Sequence, residues 1–235
     1  MKKLKSTLPN MIISLGLITC VAGALLGVVY DVTKEPIARM QTEEQTAAIR
    51  KVAPPFDNDP RADEWHTTLD GQQFTVYPAM EKGQLVGAAV MGSSMNGFNG
   101  EIVIMAGFDA DGTVRDYQVL TQAETPGLGS KMQTWFRDPA GARSVIGKNP
   151  ATTAFFVTKD KASGGQIDAI TAATISSRAF LETMRNAYDA YKSYAASKGI
   201  KVGKDLTAGN ETDAAKASGH DASTGASAQH HHDSK

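Results

Sequence analysis

MIISLGLITCVAGALLGVVY (Met11–Tyr30) carries no charged side chain, and it has the length, about 20 residues, that a helix needs to cross the hydrocarbon core of a bilayer. Lys2, Lys3 and Lys5 precede it, and Asp31, Lys34 and Glu35 follow. The positive excess on the N-terminal side predicts that residues 1–10 are cytoplasmic and that the chain beyond the span is exported. A cleaved signal peptide fits less well. Its apolar region runs to roughly 7–15 residues and ends in a small-residue cleavage site, whereas this run is longer and no Ala-x-Ala closes it. Leu17-Ile18-Thr19-Cys20 has the outline of a lipoprotein box, but Thr before the cysteine fits poorly and the apolar run continues past it. An uncleaved single-pass anchor over residues 11–30 is expected.

Beyond the span, Thr33–Val52 reads as a helix. Ile37, Met40, Ala47, Ala48 and Val52 fall near helical spacing, and Pro36 is accommodated in a first turn. Pro54-Pro55 ends it, and residues 57–63 form a polar loop. The middle of the chain reads as strands. Phe74–Ala79 and Leu85–Met91 flank the turn Glu81-Lys82-Gly83, and Ile102–Phe108 is apolar enough to be buried on both faces. Val114–Leu120 follows Asp109-Ala110-Asp111-Gly112. That tetrapeptide begins like a calcium loop, but the twelfth position, where an EF-hand needs Glu, is Leu120, so a β-turn is expected. A short helix around Lys131–Arg137, a strand Thr152–Thr158 and a turn at Ser163-Gly164-Gly165 come next. Ile175–Tyr194 is an amphipathic helix with Phe180, Met184, Ala187, Tyr188 and Tyr191 on one face. From residue 204 to 235 the composition falls to small and polar residues, which predicts a disordered tail. The class is α+β: one N-terminal transmembrane helix, then a single exported domain over residues 31–203.

Composition excludes several chemistries. The net charge is −1 and the basic residues are scattered, so no stripe exists to track a nucleic-acid backbone, and no nucleic-acid partner is expected. One cysteine, Cys20, cannot make an internal disulfide, a Cys-x-x-Cys pair or an iron–sulfur cluster. Of five histidines only His66 lies in the body; the rest are His220 and the run His230–His232. A hydrolytic triad or zinc site would rest on His66 almost alone. Redox work in this chain requires a borrowed organic cofactor.

Two segments carry candidate chemistry. IDAITAATISS (Ile167–Ser177) stands at the entrance of the amphipathic helix. Thr171, Thr174, Ser176 or Ser177 there caps the helix, for about 1 kcal/mol, or else the free N–H groups and dipole of the helix end hold a phosphate, with Ala172 and Ala173 small enough for close approach. ETPGLG (Glu124–Gly129) is a rigid turn by its Pro126 and glycines. Neither Gly-x-Gly-x-x-Gly after a strand nor a P-loop occurs.

In this order, with Gly97-Phe98-Asn99-Gly100 ahead of the Ile102–Phe108 strand, these motifs resemble one family of FMN-binding proteins. It comprises the G subunits of Rnf-type electron transport complexes and the C subunits of the sodium-translocating NADH:quinone reductase. The resemblance runs from the membrane helix to about Tyr194 and is nearer to the Rnf-type G subunits. It implies that the exported domain binds FMN and that FMN is esterified through its phosphate to the last threonine of a Ser/Thr-Gly-Ala-Thr motif. That motif stands here as Thr171-Ala172-Ala173-Thr174, so Thr174 inherits the attachment and Ala172 replaces the usual glycine. Thr171, Ala172 and Ala173 are expected around the phosphate, and Glu124, Thr125 and Leu128 around the isoalloxazine. The implied role is an electron carrier in the bacterial inner membrane, with its domain on the periplasmic side. It would be no complete enzyme alone, but the redox component of a complex that couples ferredoxin:NAD electron transfer to ion translocation. Its implied partners are the other membrane subunits and a flavin transferase. The same-class alternative is a C subunit of the sodium-translocating NADH:quinone reductase; of other classes are an anchored ligand- or protein-binding module without cofactor and, third, a hydrolase built on His66.

Overall fold

The computed structural model describes residues 7–202; the expected tail, residues 204–235, and residues 1–6 of the expected cytoplasmic segment lie outside them. The chain divides into two compact units at Lys51/Val52.

The first unit is the helix α1, Leu8–Val52, taken up to that boundary. It is long and apolar enough to cross a membrane, and its apolar window buries nothing inside the protein. The sequence pattern starts a second helix at Thr33, but α1 runs on without a break and Pro36 lies in its interior. No glycine or further proline separates Tyr30 from Pro36. Thr33 instead donates its hydroxyl to the Val29 carbonyl at 2.7 Å, and Lys34 pairs with Asp31 at 2.7 Å. The hydrogen bond that Pro36 removes is not enough to stop propagation through these residues.

The second unit is an antiparallel meander of five strands in the order β1-β2-β3-β4-β5, with α3 (Thr174–Ser197) packed on it. The strands are β1 Trp65–Leu69, β2 Gln72–Glu81, β3 Gln84–Ser94, β4 Ile102–Asp109 and β5 Val114–Gln122. The sequence pattern predicts no strand at β1, although Asp70-Gly71 marks it. Both residues have positive φ (50° and 76°), as a two-residue hairpin turn matching strand twist requires. Lys82 and Gly83, at φ 51° and 77°, repeat the device between β2 and β3. The tetrapeptide before β5 is a β-turn, with the Gly112 amide donating to the Asp109 carbonyl at 2.9 Å. β4 is buried on both faces. α3 covers one, and Val52, the first residue of this unit, lies against the other, where a Cβ at Gly107 would stand 2.9 Å from Val52 Cβ.

Residues 129–135 form a 3-10 turn, Gly129–Lys131, and the single-turn helix α2, Met132–Trp135. The strand expected over Thr152–Thr158 does not form. Phe155 and Val157 are buried as their pattern demands, but the segment folds against its own continuation. The Ile167 amide donates to the Phe156 carbonyl at 3.1 Å and that of Thr158 to Ile167 at 2.9 Å, an isolated parallel bridge. Gly165 makes this local return possible, since a side chain there would strike the Val157 carbonyl.

Helix α3 buries Phe180, Met184, Ala187, Tyr188 and Tyr191 as its periodicity predicts. Phe180 stacks on Phe136 at 4.3 Å and meets Tyr117 edge-on at 4.9 Å, while Tyr191 stacks on Phe108 at 5.7 Å. The Tyr117 hydroxyl donates to the Met132 carbonyl at 2.6 Å. Burial drives the Tyr117 and Tyr191 phenols well above their ordinary range. The folded state therefore holds these protons more tightly than the unfolded chain, and the stability they contribute is present below the unfolded value, about pH 10, and is lost as pH rises beyond it. Alkaline titration followed by tyrosinate absorbance and far-ultraviolet circular dichroism should show ionisation of these phenols coinciding with loss of structure. Early, independent ionisation of all six tyrosines would refute this.

Candidate functional site

Three segments from different parts of the second unit meet at the N-terminus of α3: the β3–β4 loop, the loop after β5, and the turn before α3. Between them lies a cavity of about 330 Å³ lined by Phe98, Glu124, Thr125, Leu128, Gly129 and residues 172–176.

The turn before α3 is built first. The Ala173 amide donates to the Ile170 carbonyl at 3.0 Å, closing a four-residue turn with Ala172 in its third position at φ 62°. A turn with positive φ there favours glycine, because a Cβ crowds the neighbouring carbonyl. Ser177 braces it from inside the helix, its buried hydroxyl accepting from the Ile170 amide and donating to the Ala173 carbonyl, each at 2.9 Å. Ala172→Gly should therefore stabilise the body by about 1 kcal/mol, seen as a rise of about 2–4 °C in the thermal midpoint. An unchanged or lowered midpoint would show that the turn carries no such strain.

The helix entrance is uncapped. The N-cap position is Ala173, and among the described residues no side chain bonds the first-turn amides. The capping reading thus fails for Thr174, which is the first residue of the helix. It is half-buried, and its hydroxyl is engaged in no hydrogen bond with the described residues. The first-turn amides project without intrahelical partners, no acidic residue stands in that turn, and the helix dipole makes the end attractive to an anion. Arg178, one turn on, is committed elsewhere. Its Nε donates to Asp160 at 3.0 Å, and the hydrogen bonds of this pair hold the Asp160 carboxyl below its ordinary range and raise Arg178.

Glu124 ties the three segments together. It is 4 % exposed, accepts the Asn99 amide at 3.1 Å and accepts the Ser176 hydroxyl. Space for its carboxylate exists because two neighbours are glycine. A Cβ at Gly97 would lie 2.7 Å from one oxygen, and a Cβ at Gly129 would lie 2.5 Å from the other. Glu124→Gln keeps the shape and one donor–acceptor pair. Glu124→Ala orphans the Ser176 hydroxyl and the Asn99 amide. The alanine variant should lose about 2 kcal/mol and the glutamine variant about 1 kcal/mol or less, by chemical denaturation. Equal losses would mean that the bonds are not what holds the loops.

Six of the seven residues expected at the site (Glu124, Thr125, Leu128, Ala172, Ala173 and Thr174) line this one cavity. Thr171 is exposed in the preceding turn and does not line it. Phe98, Gly129, Ile175 and Ser176 also line it, and the sequence pattern assigns none of them to the site. Phe98 and Gly129 are visible as motif members, whereas the inward side of Ile175 and Ser176 depends on where the helix begins. His66 is elsewhere, on β1, beside Thr75 and Glu64. A larger open groove of about 840 Å³ lies along β1, lined by Trp65, Met80, Leu85 and Tyr194 among others. It lacks the uncapped helix end that marks the smaller cavity.

The FMN-binding domain family matches residues 97–189, which contain every residue lining the smaller cavity. The G subunit of the ion-translocating oxidoreductase complex of Aliivibrio fischeri is 30% identical over 199 residues, covering 80% of this chain and 92% of that protein. The G subunit of the Cereibacter sphaeroides complex is 34% identical over 178 residues (72% and 78%), and that of Methanosarcina acetivorans 31% over 183 residues (77% and 92%). The chain belongs to this G-subunit family. Its body is therefore an FMN-binding domain, and the nearer of the two resemblances, to the Rnf-type G subunits, is the one its relatives bear out. Ala172, where the resemblance implies glycine, stands at a turn position of positive φ.

Proposed function

We propose that this member of the G-subunit family is a membrane-anchored electron carrier with one FMN held covalently, through its phosphate, on the Thr174 hydroxyl. The observation that carries the reading is an unengaged hydroxyl at an uncapped helix N-terminus that opens on a cavity. The residues fit such a group. Thr174 supplies the ester oxygen, and the α3 amides face the remaining negative charge, a contribution of about 0.3–1 kcal/mol. Ala172 and Ala173 leave room beside the phosphate. Glu124, Thr125 and Leu128 belong to the ring end of the cavity, and Thr171 shapes the turn before it. Bound FMN supplies electron transfer; the protein supplies position, a partly apolar surround and resistance to loss. An ester makes release depend on bond cleavage, which matters for a domain facing a compartment with little free FMN.

Residues 11–30 span the membrane in this reading, with residues 1–10 cytoplasmic. Residues 31–203 form the domain on the periplasmic side, and residues 204–235 are a tail. The orientation is supported by Lys2, Lys3 and Lys5 ahead of the span. The domain works within an Rnf-type complex of membrane subunits, passing electrons during ferredoxin:NAD electron transfer coupled to ion translocation, after a flavin transferase has loaded it. Intact-mass analysis of the chain purified from its own membranes should show one added FMN moiety, and the chain should co-purify with other membrane subunits. An unmodified chain would reduce the reading to a tethered domain without a covalent cofactor.

A further inference from the structure

We infer that Phe98 supplies the aromatic face against which the isoalloxazine ring packs, and that the Ser94–Gly100 loop is fastened at two points to hold it there. The inference rests on the FMN reading of the cavity.

Phe98 is 64 % exposed, so it forgoes most of the burial an aromatic side chain ordinarily gains on folding. It is the one aromatic residue lining the cavity among the described residues. Two further exposed apolar side chains, Leu128 at 38 % and Ile175 at 49 %, line the same cavity from the other two segments. Exposed apolar groups scattered singly need no explanation. Three converging from separate elements on one hollow make a surface for a flat apolar group.

The loop is not loose. On one side of Phe98, the Asn96 side-chain amide donates to both Glu182 oxygens at 3.1 and 2.9 Å. Fully buried Ser94 accepts the Asn96 backbone amide at 3.2 Å and donates to Glu182 at 3.3 Å. On the other side, Asn99 donates its backbone amide to Glu124 and its side-chain amide to Thr125 at 3.4 Å. Gly97 lies too close to the Glu124 carboxylate to carry a side chain. Residues flanking Phe98 are thus pinned to α3 and to the loop after β5, while its ring is left in the open at the cavity. An aromatic held in advance needs little further ordering to bind a planar partner, and ring faces prefer an offset stack.

The test uses the full chain, expressed in membranes with its flavin transferase and purified in detergent, as wild type, Phe98→Trp and Phe98→Ala. Intact mass reports FMN attachment in each. In fully modified protein, Phe98→Trp should quench flavin fluorescence at least fivefold, because an indole in contact with the ring donates an electron to its excited state. Phe98→Ala should at least double the iodide quenching constant of the flavin and change its visible circular dichroism. Full modification with either variant's flavin signals unchanged overturns the role of Phe98 and leaves the FMN reading standing. A wild-type chain without the FMN increment fails that reading and this inference with it.

Discussion

Thr174→Ala is expected to remove covalently bound flavin completely: no flavin fluorescence after denaturation and no FMN mass increment. The reason is local chemistry. A phosphoester needs a hydroxyl oxygen, and Thr174 holds the one hydroxyl that lines the cavity from the first residue of α3 while engaged by no other described residue. Ser176, also on the cavity, has its hydroxyl donated to buried Glu124. Thr171 has a hydroxyl but does not line the cavity. The substitution should leave the fold intact. It deletes no hydrogen bond, Ala is a better helix former than Thr, and the change in stability should stay within about 0.5 kcal/mol. Thr174→Ser, which restores the oxygen, should recover modification at least in part. Denaturation-resistant flavin on the alanine variant would move the acceptor to another residue. Under the proposed role in an Rnf-type complex, the same variant should lose ferredoxin-driven NAD reduction while the chain still reaches the membrane.

Phe180→Ala carries the largest expected cost in stability, about 3–5 kcal/mol, a large share of the roughly 5–15 kcal/mol that holds a domain together. Phe180 is fully buried and sandwiched between Phe136 and Tyr117, so its removal strips three elements of a shared contact and leaves a cavity that close-packed neighbours fill only in part. Those elements are α3, β5 and the segment after α2. Because α3 presents Thr174 and the loop after β5 presents Glu124–Gly129, loosening this cluster should also reduce flavin loading. Denaturant unfolding of the detergent-solubilised chain gives the first quantity and intact mass the second. A loss below about 1 kcal/mol would mean that the aromatic cluster is not the joint between helix and sheet.

Much of this architecture is legible from residue order alone. An uncharged apolar run announces a span because lipid offers backbone polar groups no partner but the helix itself. The 3.6-residue periodicity of Phe180, Met184, Ala187, Tyr188 and Tyr191 announces the buried face of α3, since only one side of that helix meets the sheet. Four strands follow from apolar runs between turns. The failures are equally physical. Thr152–Thr158 has the composition of a strand, but its hydrogen bonds go to Gln166 and Ile167 across a tight return that a propensity cannot foresee. β1 is short and half-exposed, so its pattern is faint and only Asp70-Gly71 betrays it.

For the site, residue order supplies the side chains on hand: a threonine at a helix entrance, small residues before it, and a rigid glycine turn about fifty positions earlier. Local rules reach that far because caps, turns and periodicity act over a few residues. The folded chain adds that Glu124 is a buried clasp, that Ala172 sits at positive φ, that no described side chain caps α3, and that Phe98 joins Leu128 and Ile175 at one cavity. The Glu124 clasp and the shared cavity depend on segments distant in sequence being packed side by side, which no short window encodes; the φ of Ala172 and the bare helix end depend on where turn gives way to helix, which a run holding several hydroxyls leaves open.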